Sequence, residues 1–78
     1  MHYNELFARR IVAEVARISA DGAQPVLLHE VARRLKIDEA SAESAMYRTV
    51  DERWLVFEGS SLFRMRLTDA GRRLVEAR

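Results

Sequence analysis

The sequence predicts a single, mainly α-helical domain over residues 1–78, with a three-helix core, a small β-hairpin and a short last helix. Three observations predict it. Apolar residues recur with helical period over residues 3–20, 29–36 and 39–53. A break of three residues, Lys36-Ile37-Asp38, separates the second run from the third. Two segments of period two, 54–58 and 62–67, flank a Gly59-Ser60-Ser61 turn.

In the first helix Phe7, Ile11, Val15 and Ile18 share one face, with Ala8 beside them. Glu5, Arg10, Glu14 and Arg17 lie toward the other side. Asn4 suits an N-cap, and Asp21-Gly22 suits a stop. Val12 and Ala16 widen the apolar stripe. That width fits either a deeply buried helix or the edge of a dimer, with Leu74 to Ala77 as a second contact.

Val26-Leu27-Leu28 follows Pro25 and reads as a short strand. In the second helix Val31, Ala32 and Leu35 point one way, and Glu30, Arg33, Arg34 and Lys36 the other. Asp38 occupies an N-cap position, where its carboxylate also suits the helix dipole. In the third helix Ala42, Ala45, Met46, Thr49 and Val50 fall on the core side. Ala40, Ser44, Tyr47, Arg48 and Asp51 fall opposite, with Ser41 on the flank. In the second hairpin strand Phe63, Met65 and Leu67 face inward, and Leu62, Arg64 and Arg66 outward. Thr68 can cap the last helix, residues 69–77, whose clearest core contact is Leu74.

Composition excludes several classes. There is no cysteine, so a disulfide framework, a thiolate zinc site and a cysteine nucleophile are ruled out, and a cytoplasmic location is expected. No apolar run approaches the roughly 18 residues that span a membrane. The first ten residues mix an acid with two arginines and lack a signal-peptide apolar stretch. His2 and His29 have no metal-ligand spacing, and no Gly-rich phosphate loop exists. Neither an enzyme nor a cofactor is expected. The net charge of +1 is too small to name a partner, so the position of each charge must decide.

Three segments carry a family resemblance. "PVLLHEVARRLKI" is similar to the strand and second helix of winged helix-turn-helix domains, with Val31, Ala32 and Leu35 matching the core pattern before the turn. "VDERWLVFEG" resembles the end of their recognition helix entering the first wing strand, with Trp54 where the family usually has Gly. "RLTDAGRRLVEA" resembles the last wing strand and following helix, matched by Leu67, Thr68, Gly71 and Leu74. The likeness covers nearly the whole chain and is of the type in small bacterial repressors and MarR- and PadR-like regulators.

The resemblance implies double-stranded DNA as partner, bound by a homodimer. The third helix, residues 39–53, would enter the major groove, and the wing, residues 55–67, would touch the backbone. Carried over by position, Ala40, Ser41, Ser44, Tyr47 and Arg48 form the reading face. Arg64 and Arg66 on the wing, with Arg33 and Arg34 late in the second helix, are placed for phosphates. Each has a plainer reading. Arg48 stands four residues before Glu52, as in an ordinary helical ion pair, and the wing arginines can guard an edge against strand pairing. Trp54 in place of Gly predicts an altered helix end. Glu39, Glu43, Asp51 and Glu52 make the third helix acidic, which leaves a second function open: a module that docks a protein partner through this helix.

Overall fold

The computed structural model describes residues 3–19, 24–59 and 64–77. Its elements, in order, are α1 (Tyr3–Ile18), β1 (Val26–Leu27), α2 (Leu28–Leu35), α3 (Glu39–Asp51), β2 (Leu55–Phe57), β3 (Arg64–Leu67) and α4 (Asp69–Glu76). The described chain is thus mainly helical with a small antiparallel sheet of order β1-β3-β2. Among the described residues no helix is long and apolar enough to cross a membrane.

α1 is the hub of the fold. It packs most extensively across α3 and also meets α2, α4 and β3. Ala8, Ile11, Val12 and Val15 are all fully buried along it. Val12 therefore belongs to the core of one chain and cannot supply a dimer edge. The broad apolar stripe arises because neighbours cover this helix on several sides. Glu14 also departs from expectation. It is buried rather than solvated, because α2 crosses that flank and brings Arg34 to 3.9 Å, while Arg17 lies 3.4 Å away. Asn4 lies inside the helix, which begins at Tyr3, so it is not the N-cap. The helix ends at Ile18, ahead of the anticipated Asp21-Gly22 stop; that stop lies outside the described residues.

Both helices of the central pair end in the same way. After α2, Lys36 takes φ 58°, with Ile37 N–H donating to Ala32 O and Lys36 N–H to Arg33 O. After α3, Arg53 takes φ 61°, with Trp54 N–H donating to Thr49 O and Arg53 N–H to Val50 O. These paired bonds satisfy the last carbonyls through a left-handed residue. The left-handed residue of α3 is thus Arg53, not Trp54, and the indole is left to pack against the core. A non-glycine residue in this region is strained by about 1–2 kcal/mol. Arg53→Gly relieves that strain and loses some to backbone entropy. It should raise stability by up to about 1 kcal/mol, read as a higher urea midpoint at unchanged slope.

Asp38 caps α3 by accepting from Ser41 N–H at 3.0 Å. Ser41 Oγ donates to the same carboxylate at 2.8 Å. The backbone bond from Ser41, then the hydroxyl bond, hold the Asp38 carboxyl below its ordinary pKa. On the inner face Ala42, Ala45, Met46 and Thr49 are fully buried, and Val50 is half-buried. The sequence phase of α3 is therefore that of the structure.

The hairpin forms with β3 in the middle. Met65 pairs with both Val26 and Phe57, and Leu67 with Leu55. Leu55 and Met65 are fully buried, while Arg64 is exposed and Arg66 half-exposed, as period two requires. The inward placement of Phe63 and outward placement of Leu62 lie outside the described residues.

α4 is fastened to the α3–β2 corner by Thr68. Its Oγ1 accepts from Gly71 N–H at 3.0 Å, capping the helix, and donates toward the carbonyls of Arg53 and Trp54. Thr68 N–H donates to Trp54 O at 3.1 Å. Gly71 is what allows this approach: a Cβ there would lie 2.1 Å from Trp54 O. The Leu67-Thr68 and Gly71 spacing thus has a local physical reason.

Candidate functional site

The outward face of α3 carries Ala40, Ser44, Tyr47 and Asp51, all exposed. Its first half presents only small side chains at its crest, which lets another surface come close to the helix backbone. Tyr47, at 49% exposure, meets Phe57 of β2 edge-on, with ring centroids 6.3 Å apart and planes at 77°. This contact joins the helix face to the hairpin. Ser41 sits half-buried on the flank, and its hydroxyl proton is engaged by Asp38.

The arginines named from sequence fall into two groups. Three are engaged by acids. Arg48 lies on the α1 side of α3, 3.6 Å from Glu5 and 3.9 Å from Glu52. Arg66 grips Glu58 from the side, with Nε 2.7 Å from one oxygen and Nη2 donating to the other at 2.9 Å. Arg34 reaches both Glu30, at 3.6 Å, and the buried Glu14. Arg33 and Arg64, by contrast, are exposed and make no ion pair among the described residues.

Burial decides what these pairs mean. Arg48 and Arg66 hold half-exposed pairs, each worth about 0–1 kcal/mol, so a phosphate or a base edge can compete for either guanidinium. Arg34 serves a carboxylate whose side chain is only 8% exposed. Removing it would strip one of two cations from a buried charge, so its role is chiefly to hold α1 against α2.

Sequence reading missed two cations. Lys36 and Arg53, the left-handed residues after α2 and α3, are both exposed, and neither makes an ion pair among the described residues. The signal for Lys36 was its place in the break between the two helices. Arg53 carried none, because only the backbone geometry singles it out. His29, in the first turn of α2, meets Glu39, in the first turn of α3, through Nδ1 and Oε1. This contact engages one acid at the start of α3, leaving Glu43 and Asp51 as its acids with no ion pair among the described residues.

Among the described residues no three His, Asp or Glu side chains gather in a way that could hold a metal ion. No protein-family model, curated protein or solved structure matches this chain.

Proposed function

We propose that this chain is a winged-helix DNA-binding regulator that acts in the cytoplasm as a homodimer on a two-fold symmetric site. α3 lies in the major groove, and cations on either side of it hold the backbone. The observation that carries this reading is the arrangement around α3. An exposed crest of small residues, Ala40 and Ser44, follows the end of α2, which bears Arg33 in its last turn and Lys36 at its C-cap, and a hairpin bearing Arg64 comes after it. These three cations make no ion pair among the described residues. Small side chains at the crest suit a helix entering a groove about 12 Å wide. Arg48 contributes once it exchanges its carboxylates for a base edge, and Arg66 stays with Glu58 unless a phosphate displaces it.

The exposed Tyr47–Phe57 pair beside Glu43 and Asp51 favours a second reading, in which α3 and the hairpin dock a protein. Repulsion of phosphate by Glu43 and Asp51 is the physical cost that the first reading carries.

Fluorescence anisotropy with random and genomic duplexes at 50 and 200 mM salt separates the two. Each phosphate contact contributes about 0.9 to the slope of log affinity against log salt. Replacing Arg33, Lys36 and Arg64 by Ala together should flatten that slope by about 2.7 units. Arg48→Ala should instead cost about 1–3 kcal/mol at one base position and leave the slope nearly unchanged. No binding even at 50 mM salt, where the electrostatic contribution is large, would exclude DNA and leave the Tyr47–Phe57 face as a protein-docking surface.

A further inference from the structure

A groove of about 330 Å³ runs between α1 and α4, lined by Leu6, Arg9, Arg10, Ala13, Leu74 and Val75. We infer that it docks one amphipathic helix of another protein, apolar on its buried face and carrying carboxylates along its margins. The shape of the groove argues for a helix. Leu6, Arg9, Arg10 and Ala13 follow the spacing i, i+3, i+4, i+7 and so form one stripe of α1. That stripe is about 10 Å long at roughly 1.5 Å per residue, which matches two turns of a helix laid along it. Apolar side chains spaced i, i+3 or i+4, and i+7 on the partner would fall between α1 and α4. Leu74 and Val75 form the opposite wall and are half-buried, as is the small Ala13. Leu6 is 43% exposed, and covering it removes apolar surface from water.

The two arginines select the charge of the partner. Both are exposed, and neither is in an ion pair among the described residues. Arg9 Cζ lies 5.5 Å from the centroid of the Trp54 ring, and Arg10 Cζ lies 5.9 Å from that of Phe7. Each guanidinium is thus steadied by an aromatic face while its N–H edges stay available to carboxylates. A second copy of this chain fits poorly, because a two-fold pairing centred on the groove would set Arg9 and Arg10 against the same residues of its partner. Duplex DNA fits poorly as well, since its anionic backbone offers nothing apolar to cover Leu6. The groove shares no residue with the outward face of α3, so docking there is independent of the DNA reading.

Trp54 is the sole tryptophan of the chain and lies under Arg9, so its emission reports on that side of the groove. The experiment titrates the full chain with three synthetic peptides of about four helical turns, all free of tryptophan. The first carries Leu on one helical face and Glu elsewhere. The second has Lys in place of Glu, and the third scrambles the first so that its leucines no longer share a face. The acidic amphipathic peptide should change Trp54 emission saturably, with half-saturation at or below about 0.1 mM, and should gain helix by circular dichroism. The other two should bind at least about tenfold more weakly. Arg10→Glu should erase the preference for the acidic over the basic peptide, and Leu6→Gln should weaken the acidic one about fivefold. Both variants should keep the wild-type melting temperature. Equal affinity for acidic and basic peptides, an undiminished preference in Arg10→Glu, full affinity in Leu6→Gln, or no saturation by about 1 mM would each overturn the assignment. So would a wild-type dimer in sedimentation that Leu6→Gln returns to monomer, because a second copy would then be filling the groove.

Discussion

Gly71→Ala should lower the melting temperature by about 10–20 °C, although the position is helical. Helix propensity alone predicts the opposite sign, since Ala is better than Gly by about 1 kcal/mol in a helix interior. Geometry overrides it. The new Cβ would stand 2.1 Å from the Trp54 carbonyl oxygen and 2.9 Å from Leu67 Cδ1. Leu67 can turn aside, but the carbonyl is backbone and is held by Thr68 through both its N–H and its hydroxyl. Relief therefore requires α4 to lift away from the α3–β2 corner. That sacrifices the Gly71 N–H bond to Thr68 and the two Thr68 bonds to Trp54, at about 1 kcal/mol each, together with packing of Leu74 and Val75. The net loss of about 2–3 kcal/mol is a large part of the roughly 4–12 kcal/mol expected for a domain of this size. Thr68→Val, which keeps the shape and loses the hydroxyl, should cost about 1–2 kcal/mol. A Gly71→Ala chain that melts at or above the wild-type temperature would show that α4 does not approach Trp54.

Much of this architecture could be read from the sequence because it depends on neighbours within a few positions. The phase of α3 follows from Ala42, Ala45, Met46 and Thr49, and the Asp38 and Thr68 caps follow from residues three positions on. The hairpin follows from alternation through Arg64, Met65 and Arg66. What escaped depended on distant partners or on backbone torsion. Glu14 looked solvated until α2 was laid across it with Arg34. Arg48 was open to a base edge or to Glu52, and its further position beside Glu5 of α1 has no sequence signature across 43 positions. Trp54 in the customary glycine position signalled an altered helix end, but not that Arg53, one residue earlier, takes the left-handed conformation before the chain enters β2.

The same distinction governs the candidate interface. Exposure of Ala40, Ser44 and Tyr47 is implicit in helical period, so the crest of α3 could be read from the sequence. Its electrostatics could not, because each cation's value depends on what lies beside it. Arg66 and Arg48 are shared with carboxylates, and Arg34 is tied to a buried one. Arg33, Lys36, Arg53 and Arg64 are among the cations with no ion pair among the described residues, and they lie before and after α3 in the chain rather than within it. Positive charge that flanks a small-faced helix favours backbone contacts over base contacts. Binding would then be strong in salt dependence and weak in sequence preference unless Arg48 is released.

Val12→Glu should abolish folding. Reading Val12 as a dimer edge would make the same variant a well-folded monomer, so one substitution separates the two. Val12 is 0% exposed, within a cluster of Ala8, Ile11, Val15, Val31 and Met46. A carboxylate placed there meets apolar side chains and has no cation to pair with in that cluster. Burying an unpaired charge costs several kcal/mol, or requires the group to stay protonated at a similar cost. That is comparable with the whole stability of a 78-residue domain, so far-UV circular dichroism at 25 °C should show lost helix rather than a shifted melting point. Val12→Ala, which only leaves a cavity, should cost about 2 kcal/mol and stay folded. Ala16→Glu provides the contrast, because Ala16 is only half-buried on the same helix. It should keep the wild-type spectrum, and if the chain dimerises along that flank of α1 it should lower the sedimentation coefficient to that of a monomer. A folded Val12→Glu monomer would instead place Val12 at an interface between copies and require α1 to be rotated from the phase that buries Ile11 and Val15.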